Sequence, residues 1–416
     1  MKFEDYRIHD KIKRGLEKLE FKRPTDIQFK AIPSILNGED LLAIAQTGTG
    51  KTAAFAIPIV DIIYKKKLKE RRKTGVKCIV LTPSHELALQ VNEVFAKIAK
   101  FTSVKTLAII GGVDQEPQIE ALQKGVDIVV ATPGRMFDLI SQRHLLTFQI
   151  EILVLDEADH MLDLGFVNDI RDLIQKLPKR RQTLFLSATI NKRIKKIAYA
   201  LVKSNAIRIQ LSPKDPVANK IEHAVIFMDM DHKRFFLERM ITENPEAKIL
   251  IFVRTKVRAE RVMKAMARVD ITAVTIHSDK TQAERFQIMA NFKSGENLIL
   301  VATDVSARGI DIPDIDMVIN YDLPEIAENY VHRVGRTGRA NQKGLAYSFC
   351  APGEKDTLEE IQGFLKKEIQ VIPITKMNYS DTVNIEVDRN EDLDALLKNI
   401  EEFEGKGKKG RKKERN

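Results

Sequence analysis

LLAIAQTGTGKT occupies residues 41–52. An aliphatic run of strand type stops at a Gly-rich turn and gives way to a helix start at KTAAFAIPIV. Glycines let successive backbone N–H groups converge on an oxyanion, and a helix N-terminus adds partial positive charge there. The stretch therefore predicts a phosphate site at a strand end. It meets the pattern G-x-x-x-x-G-K-[ST] except at its first position, Ala45. Gln46, Thr47, Gly48, Thr49 and Gly50 would form the cradle, Lys51 would reach the β and γ phosphates of a nucleoside triphosphate, and the Thr52 hydroxyl would hold Mg²⁺. A Gly-rich turn alone can be no more than a turn; between a strand and a helix it predicts nucleotide binding.

Outward from this loop, from residue 40 to about 210, short aliphatic runs alternate with amphipathic stretches, the signature of a parallel sheet wrapped by helices. Strands are expected at 40–45, 76–82, 127–131, 150–156 and 183–187, and Leu87, Val91, Val94, Phe95 and Ile98 form one helical stripe. LSPKDPV at 211–217 has two prolines and no periodicity, and it reads as a hinge. A second series follows, with strands expected at 221–228, 248–253, 272–277, 298–302, 317–320 and 345–350. The fold class is thus α/β, with domains at 1–210 and 218–375 and an extension at 376–416 whose basic end is too polar to bury anything.

Bulk properties agree. At 416 residues the chain exceeds one ordinary hydrophobic core, and 44% hydrophobic with 30% charged residues describes a globular protein. The net charge of +10 is local: KKKLKERRK at 65–73 and GKGKKGRKKERN at 405–416 carry +6 each, which leaves the rest at −2. Such runs suit a polyanion or serve only as solvated surface. Cys78 and Cys350 are far apart in apolar runs, which predicts reduced, buried thiols and argues against a disulfide framework or a zinc site. No run approaches the ~18 apolar residues of a membrane span, and the charged N-terminus lacks a signal-peptide core, so a cytoplasmic location is expected.

The expected strand 150–155 ends in Asp156-Glu157-Ala158-Asp159. A carboxylate at the end of a neighbouring parallel strand is where a Mg²⁺ partner must sit, and the next can orient an attacking water. Asp156 is therefore the expected metal ligand and Glu157 the expected base. Four residues rich in acids usually form a solvated turn; the phosphate loop is what changes the reading.

With QTGTGKT, DEAD, Ser187-Ala188-Thr189 and HRVGRTGR at 332–339 in that order, the chain resembles the DEAD-box helicases of superfamily 2, from about Phe3 to about residue 375. HSDKTQAERFQIMANFKSG at 277–295 and LKKEIQVIPI at 365–374 resemble the bacterial RhlE-like subgroup. The resemblance implies two tandem RecA-like lobes that close on ATP, Mg²⁺ and RNA. It implies an adenine clamp from Phe3 and the run Phe21 to Gln28, which includes Arg23, with Phe3 stacked on the ring and Gln28 bonded to its edge. Glu20 stands where the family usually has glycine. It implies that Asp159, Ser187, Thr189 and His332 couple hydrolysis to strand separation. Arg336 and Arg339 would act as arginine fingers, while Gly309 and Asp311 would serve the ATP side and Thr303 and Asp304 the RNA side of VATDVSARGID.

The resemblance also implies a grip on one RNA strand by Pro83, Ser84, His85, Gly111, Gly112, Thr132, Pro133, Gly134, Arg135, Arg254, Gln282 and Arg285. Backbone contacts of this kind carry little base specificity. The usual Pro-Thr-Arg is here Pro83-Ser84-His85, which exchanges a permanent cation for an imidazole. Weaker RNA affinity at neutral pH, partly recovered in mild acid, is the expected consequence. The activity implied is RNA-stimulated ATP hydrolysis coupled to unwinding of short duplexes or RNP remodelling, with ribosomal or RNA-decay proteins as partner classes. Its competitors are an ATP-gated RNA clamp with little turnover and a DNA helicase.

Overall fold

Short runs rich in Ile, Leu and Val become strands here because helices cover both faces of each sheet. Leu41, Ala43 and Ala45 enter one apolar cluster while Leu42 and Ile44 enter another on the opposite face. The computed structural model describes residues 2–45, 48–70, 75–189, 192–211, 217, 220–307, 315–338, 343–375 and 379–383.

The first sheet has seven parallel strands: β1 (Leu41–Ala45), β2 (Cys78–Leu81), β3 (Thr106–Ile109), β4 (Ile128–Ala131), β5 (Ile152–Leu155), β6 (Gln182–Ser187) and β7 (Ile207–Leu211), in the order β3-β4-β2-β5-β6-β1-β7. The second has β8 (Ile221–Phe227), β9 (Ile249–Val253), β10 (Val274–Ile276), β11 (Ile299–Thr303), β12 (Met317–Asn320), β13 (Gly344–Cys350) and β14 (Gln370–Val371), in the order β10-β11-β9-β12-β13-β8-β14. Counted from their own starts, the two orders are the same permutation. The tandem α/β, RecA-like architecture expected from the sequence is what the chain forms.

Three strands were not expected. β3 (TLAI) is only half-buried along most of its length and sits at a sheet edge, as do β7 and the two-residue β14, so none shows a fully apolar run. Strand β7 ends at Leu211, inside the expected hinge, and most of the remaining hinge lies outside the described residues. Beyond residue 375, Tyr379 packs on Phe236 and His232 of the second half, and Arg239 donates to Thr382 at 2.8 Å. The basic end, 405–416, lies outside the described residues.

Part of the 65–73 basic run is structural. Lys65 pairs with Asp61 at 2.7 Å, Lys67 with Asp127 at 2.7 Å, and Lys66 with Glu151. Cys78 and Cys350 are free and buried, and burial raises both thiols, Cys350 to about 11. Among the described residues no helix is long and apolar enough to cross a membrane.

Candidate nucleotide and RNA site

The C-terminal ends of the first sheet's central strands converge where a parallel sheet places its ligands. Strand β1 runs into the Gly-rich loop, and Gly50 caps the helix Lys51–Lys69 with φ +92°. A Cβ at residue 50 would stand 2.5 Å from Gln28 Nε2, so only glycine fits. Gln28 donates to the Gly50 carbonyl at 3.2 Å and accepts from the Thr25 amide at 3.0 Å. Its carboxamide thus ties the helix Asp26–Leu36 to the phosphate loop. Phe3 is buried and stacks on Phe21, centroids 5.8 Å apart, and both rings line one open pocket with Arg23. Gln46 and Thr47 lie outside the described residues, as do Gly309, Asp311 and Arg339.

Lys51 is 6% exposed, and its Nζ is buried without a hydrogen-bond partner. A buried ammonium with nothing to donate to is costly, and a phosphate oxygen is the partner this loop is shaped to supply. Thr52 is half-buried on the same first turn.

Facing them, Asp156 and Glu157 follow β5. Burial pushes the Asp156 carboxyl up to about 7, with Glu157 and Asp159 adding to the rise and Lys51 opposing it. This acid ionises readily only when a cation joins it, which fits the Thr52 hydroxyl and the Asp156 carboxylate as donors to Mg²⁺. Burial would raise Glu157 too, but His160, Lys51 and Arg336 outweigh it and hold the carboxyl well below the usual range. Glu157 adopts φ +50°, a strained conformation for a residue with a Cβ, which starts the helix Ala158–Asp163.

Asp159 Oδ2 accepts from the Ala188 amide at 3.0 Å, the Thr189 amide at 2.9 Å and the Thr189 hydroxyl at 3.0 Å, while Ser187 donates to the Thr189 carbonyl at 2.7 Å. These contacts hold the loop after β6 against the DEAD segment.

The second half reaches the same place. His332 Nδ1 lies 3.1 Å from His160 Nε2, and Arg336, buried at 4% exposure, acts on Glu157 electrostatically. Arg336 Nε donates to the His332 carbonyl at 3.2 Å, which fixes the guanidinium stem on the helix Ala327–Val334. Burial and the neighbouring His160 push His332 down to about 3, so it stays neutral.

On the other rim, the helix Gln282–Ser294 docks against the first half. Gln282 Oε1 lies 2.8 Å from His85 Nδ1, Arg285 pairs with Glu86 at 2.7 Å, and Phe286 packs on the first half's core. Gly112 has φ +71°, and a Cβ there would press on the Gln282 Cβ at 3.2 Å. Ser84 caps the helix His85–Ala99 by accepting from the Leu87 amide at 3.3 Å, with Pro83 just before it. Thr132 caps the helix that opens with Pro133 and exposed Gly134, and Arg135 donates to the Val113 carbonyl at 2.9 Å. Arg254 bonds Glu354 at 3.3 Å and the Leu323 carbonyl at 3.4 Å. Thr303 donates to Ser306 at 3.1 Å, and Asp304 takes a bidentate pair from buried Arg333 at 2.6 and 2.7 Å.

Residues 25–197 match the family model described as DEAD/DEAH box helicase, and residues 232–341 match that of the helicase conserved C-terminal domain. The ATP-dependent RNA helicase CshA of Listeria monocytogenes is 39% identical over 369 residues, 89% of this chain and 70% of the relative. The chain belongs to the DEAD-box family of ATP-dependent RNA helicases. Another relative of this helicase, DEAD-box ATP-dependent RNA helicase 5 of Arabidopsis thaliana, is 38% identical over 87% of the chain and 69% of the relative. Among solved structures, S. cerevisiae Dbp5 bound to RNA and ADP BeF3 overlays with a TM-score of 0.79 at 28% identity, over 96% of this chain and 99% of that one. A DEAD box protein from Methanococcus jannaschii reaches 0.51 at 34% identity over 90% of this chain and 99% of that one.

His160, Glu86 and Phe286 had no place in the sequence-based site. Each adjoins a motif residue, and the meeting of the halves gives each a contact across the cleft: His332 for His160, Arg285 for Glu86, and the first half's core for Phe286.

Proposed function

We propose that this helicase hydrolyses ATP in the cleft between its halves when RNA holds them together, and that closure and reopening separate short RNA duplexes or remodel RNP. The observation that carries this reading is the convergence of Lys51 and Glu157 from the first half with His332 and Arg336 from the second.

Lys51 binds the β and γ phosphates, Glu157 takes the proton of the attacking water, and Arg336, with Arg339, meets charge on the transferring phosphoryl group. Thr52 and Asp156 would hold Mg²⁺, which would neutralise phosphate charge. Phe3, Phe21, Arg23 and Gln28 serve the adenine side, and Asp311 the ribose. The strand is held by its backbone on the rim carrying Ser84, His85, Gly112, Thr132, Gly134, Arg135, Arg254, Gln282, Arg285 and Thr303. Lobes at 1–210 and 218–375 joined by 211–217, an RhlE-like kinship, a cytoplasmic location and ribosomal or RNA-decay partners complete the reading.

Steady-state ATP hydrolysis with RNA, with DNA of the same sequence and with neither tests it. RNA alone should stimulate; a rate indifferent to RNA argues for another activity, and equal stimulation by DNA for a DNA helicase.

A further inference from the structure

His160 follows the DEAD tetrad and is buried at 2% exposure. Its Nδ1 lies 2.8 Å from Glu157 Oε2, and its Nε2 lies 3.1 Å from His332 Nδ1, with the two rings at 87° and their centroids 4.9 Å apart. Asp159 spends its hydrogen bonds on residues 160, 188 and 189 within the first half. Among the described residues, then, the hydrogen bond that His332 makes across the cleft goes to His160.

We propose that His160 is a positioning residue that makes the orientation of the Glu157 carboxylate depend on docking of the second half. A base acts on water through one oxygen. His160 holds Oε2 and leaves Oε1 for the water. The imidazole is rigid, so fixing Nε2 fixes the direction of Nδ1; His332 fixes Nε2, and it does so only when the halves meet. Docking then aligns the base as it brings Arg336 into place, which suppresses hydrolysis while the halves are apart. His332 is neutral, so one proton suffices for the bond between the rings, and two adjacent cations are avoided.

The inference rests on Glu157 as the base. Two variants divide the ring's functions: His160→Asn keeps a donor at the δ position and loses the reach to His332, while His160→Gln keeps the reach and loses the δ donor. With saturating RNA, each should lower kcat by about 10- to 100-fold, with KM for ATP and RNA affinity in a nonhydrolysable ATP analogue within about twofold. In a His332→Ala background, His160→Gln should cost little more. Thermal melting checks the fold, and one folded member of the pair suffices for the cycle.

Parent kcat in the folded variants, a loss confined to KM, or losses that multiply in the double variant would overturn the relay. Glu157→Gln run alongside separates the two failures. If it keeps turnover, the base is misassigned; if it is inactive while the His160 variants match the parent, only the relay falls.

Discussion

Arg285 of the second half and Glu86 of the first form an ion pair at 2.7 Å, with side-chain exposures of 14% and 7%. Removing one partner of a buried pair leaves the other charge stranded, at a cost of about 3–5 kcal/mol. Here that cost falls on the docked arrangement, not on the fold of either half. Arg285→Gln and Glu86→Gln should therefore each weaken RNA binding in a nonhydrolysable ATP analogue, on the order of 10²- to 10³-fold. Parent affinity in Glu86→Gln beside a loss in Arg285→Gln would mean that the arginine serves RNA and not docking.

Glu20 has φ +58°, in the left-handed region that favours glycine. A residue with a Cβ is disfavoured there by roughly 1–2 kcal/mol. Glu20→Gly should raise the melting temperature by about 1–4 °C and leave ATP hydrolysis unchanged. A lower melting temperature would show that the Glu20 side chain offsets the strain.

Asp156 carries a pH signature. Its folded value, about 7, lies above its ordinary value of 3.8, so the folded state binds the extra proton between them. Stability from this group is present below about pH 4 and is lost as pH rises through about 7. Asp156→Asn removes the titration: without Mg²⁺ and nucleotide it should melt a few degrees above the parent at pH 8, match it more nearly at pH 5, and hydrolyse no ATP. Parallel melting curves across pH would contradict the assignment.

His85 lies against Gln282, 2.8 Å away, on the expected RNA rim. His85→Arg restores a permanent cation there. The Arg variant should bind RNA more tightly than the parent at pH 8. Equal affinities would remove any electrostatic role for residue 85.

The phosphate loop, the acidic strand end and most central strands were legible because each is local: an aliphatic run, a turn and a helix start need no distant partner to be recognised. Strands β3, β7 and β14 were not, because half-buried edges lack the apolar signal. The same division runs through the site. Lys51 and Asp156 announce themselves by their place in a motif, but the contacts that His160 and Glu86 make across the cleft reach 172 and 199 residues along the chain, Phe286 packs on the other half, and no local pattern encodes them. Gln28 shows the limit from the other side: the structure adds a tie to Gly50 that the motif does not reveal.

A guanidinium from the second half should meet the phosphate cradled by Lys51 in the first. Steady-state hydrolysis by Arg336→Ala with saturating RNA, beside equilibrium binding of a nonhydrolysable ATP analogue, tests it most directly. In this variant kcat should fall by about 10³-fold or more, with nucleotide affinity little changed. Parent kcat, or a loss explained wholly by weaker nucleotide binding, would contradict it.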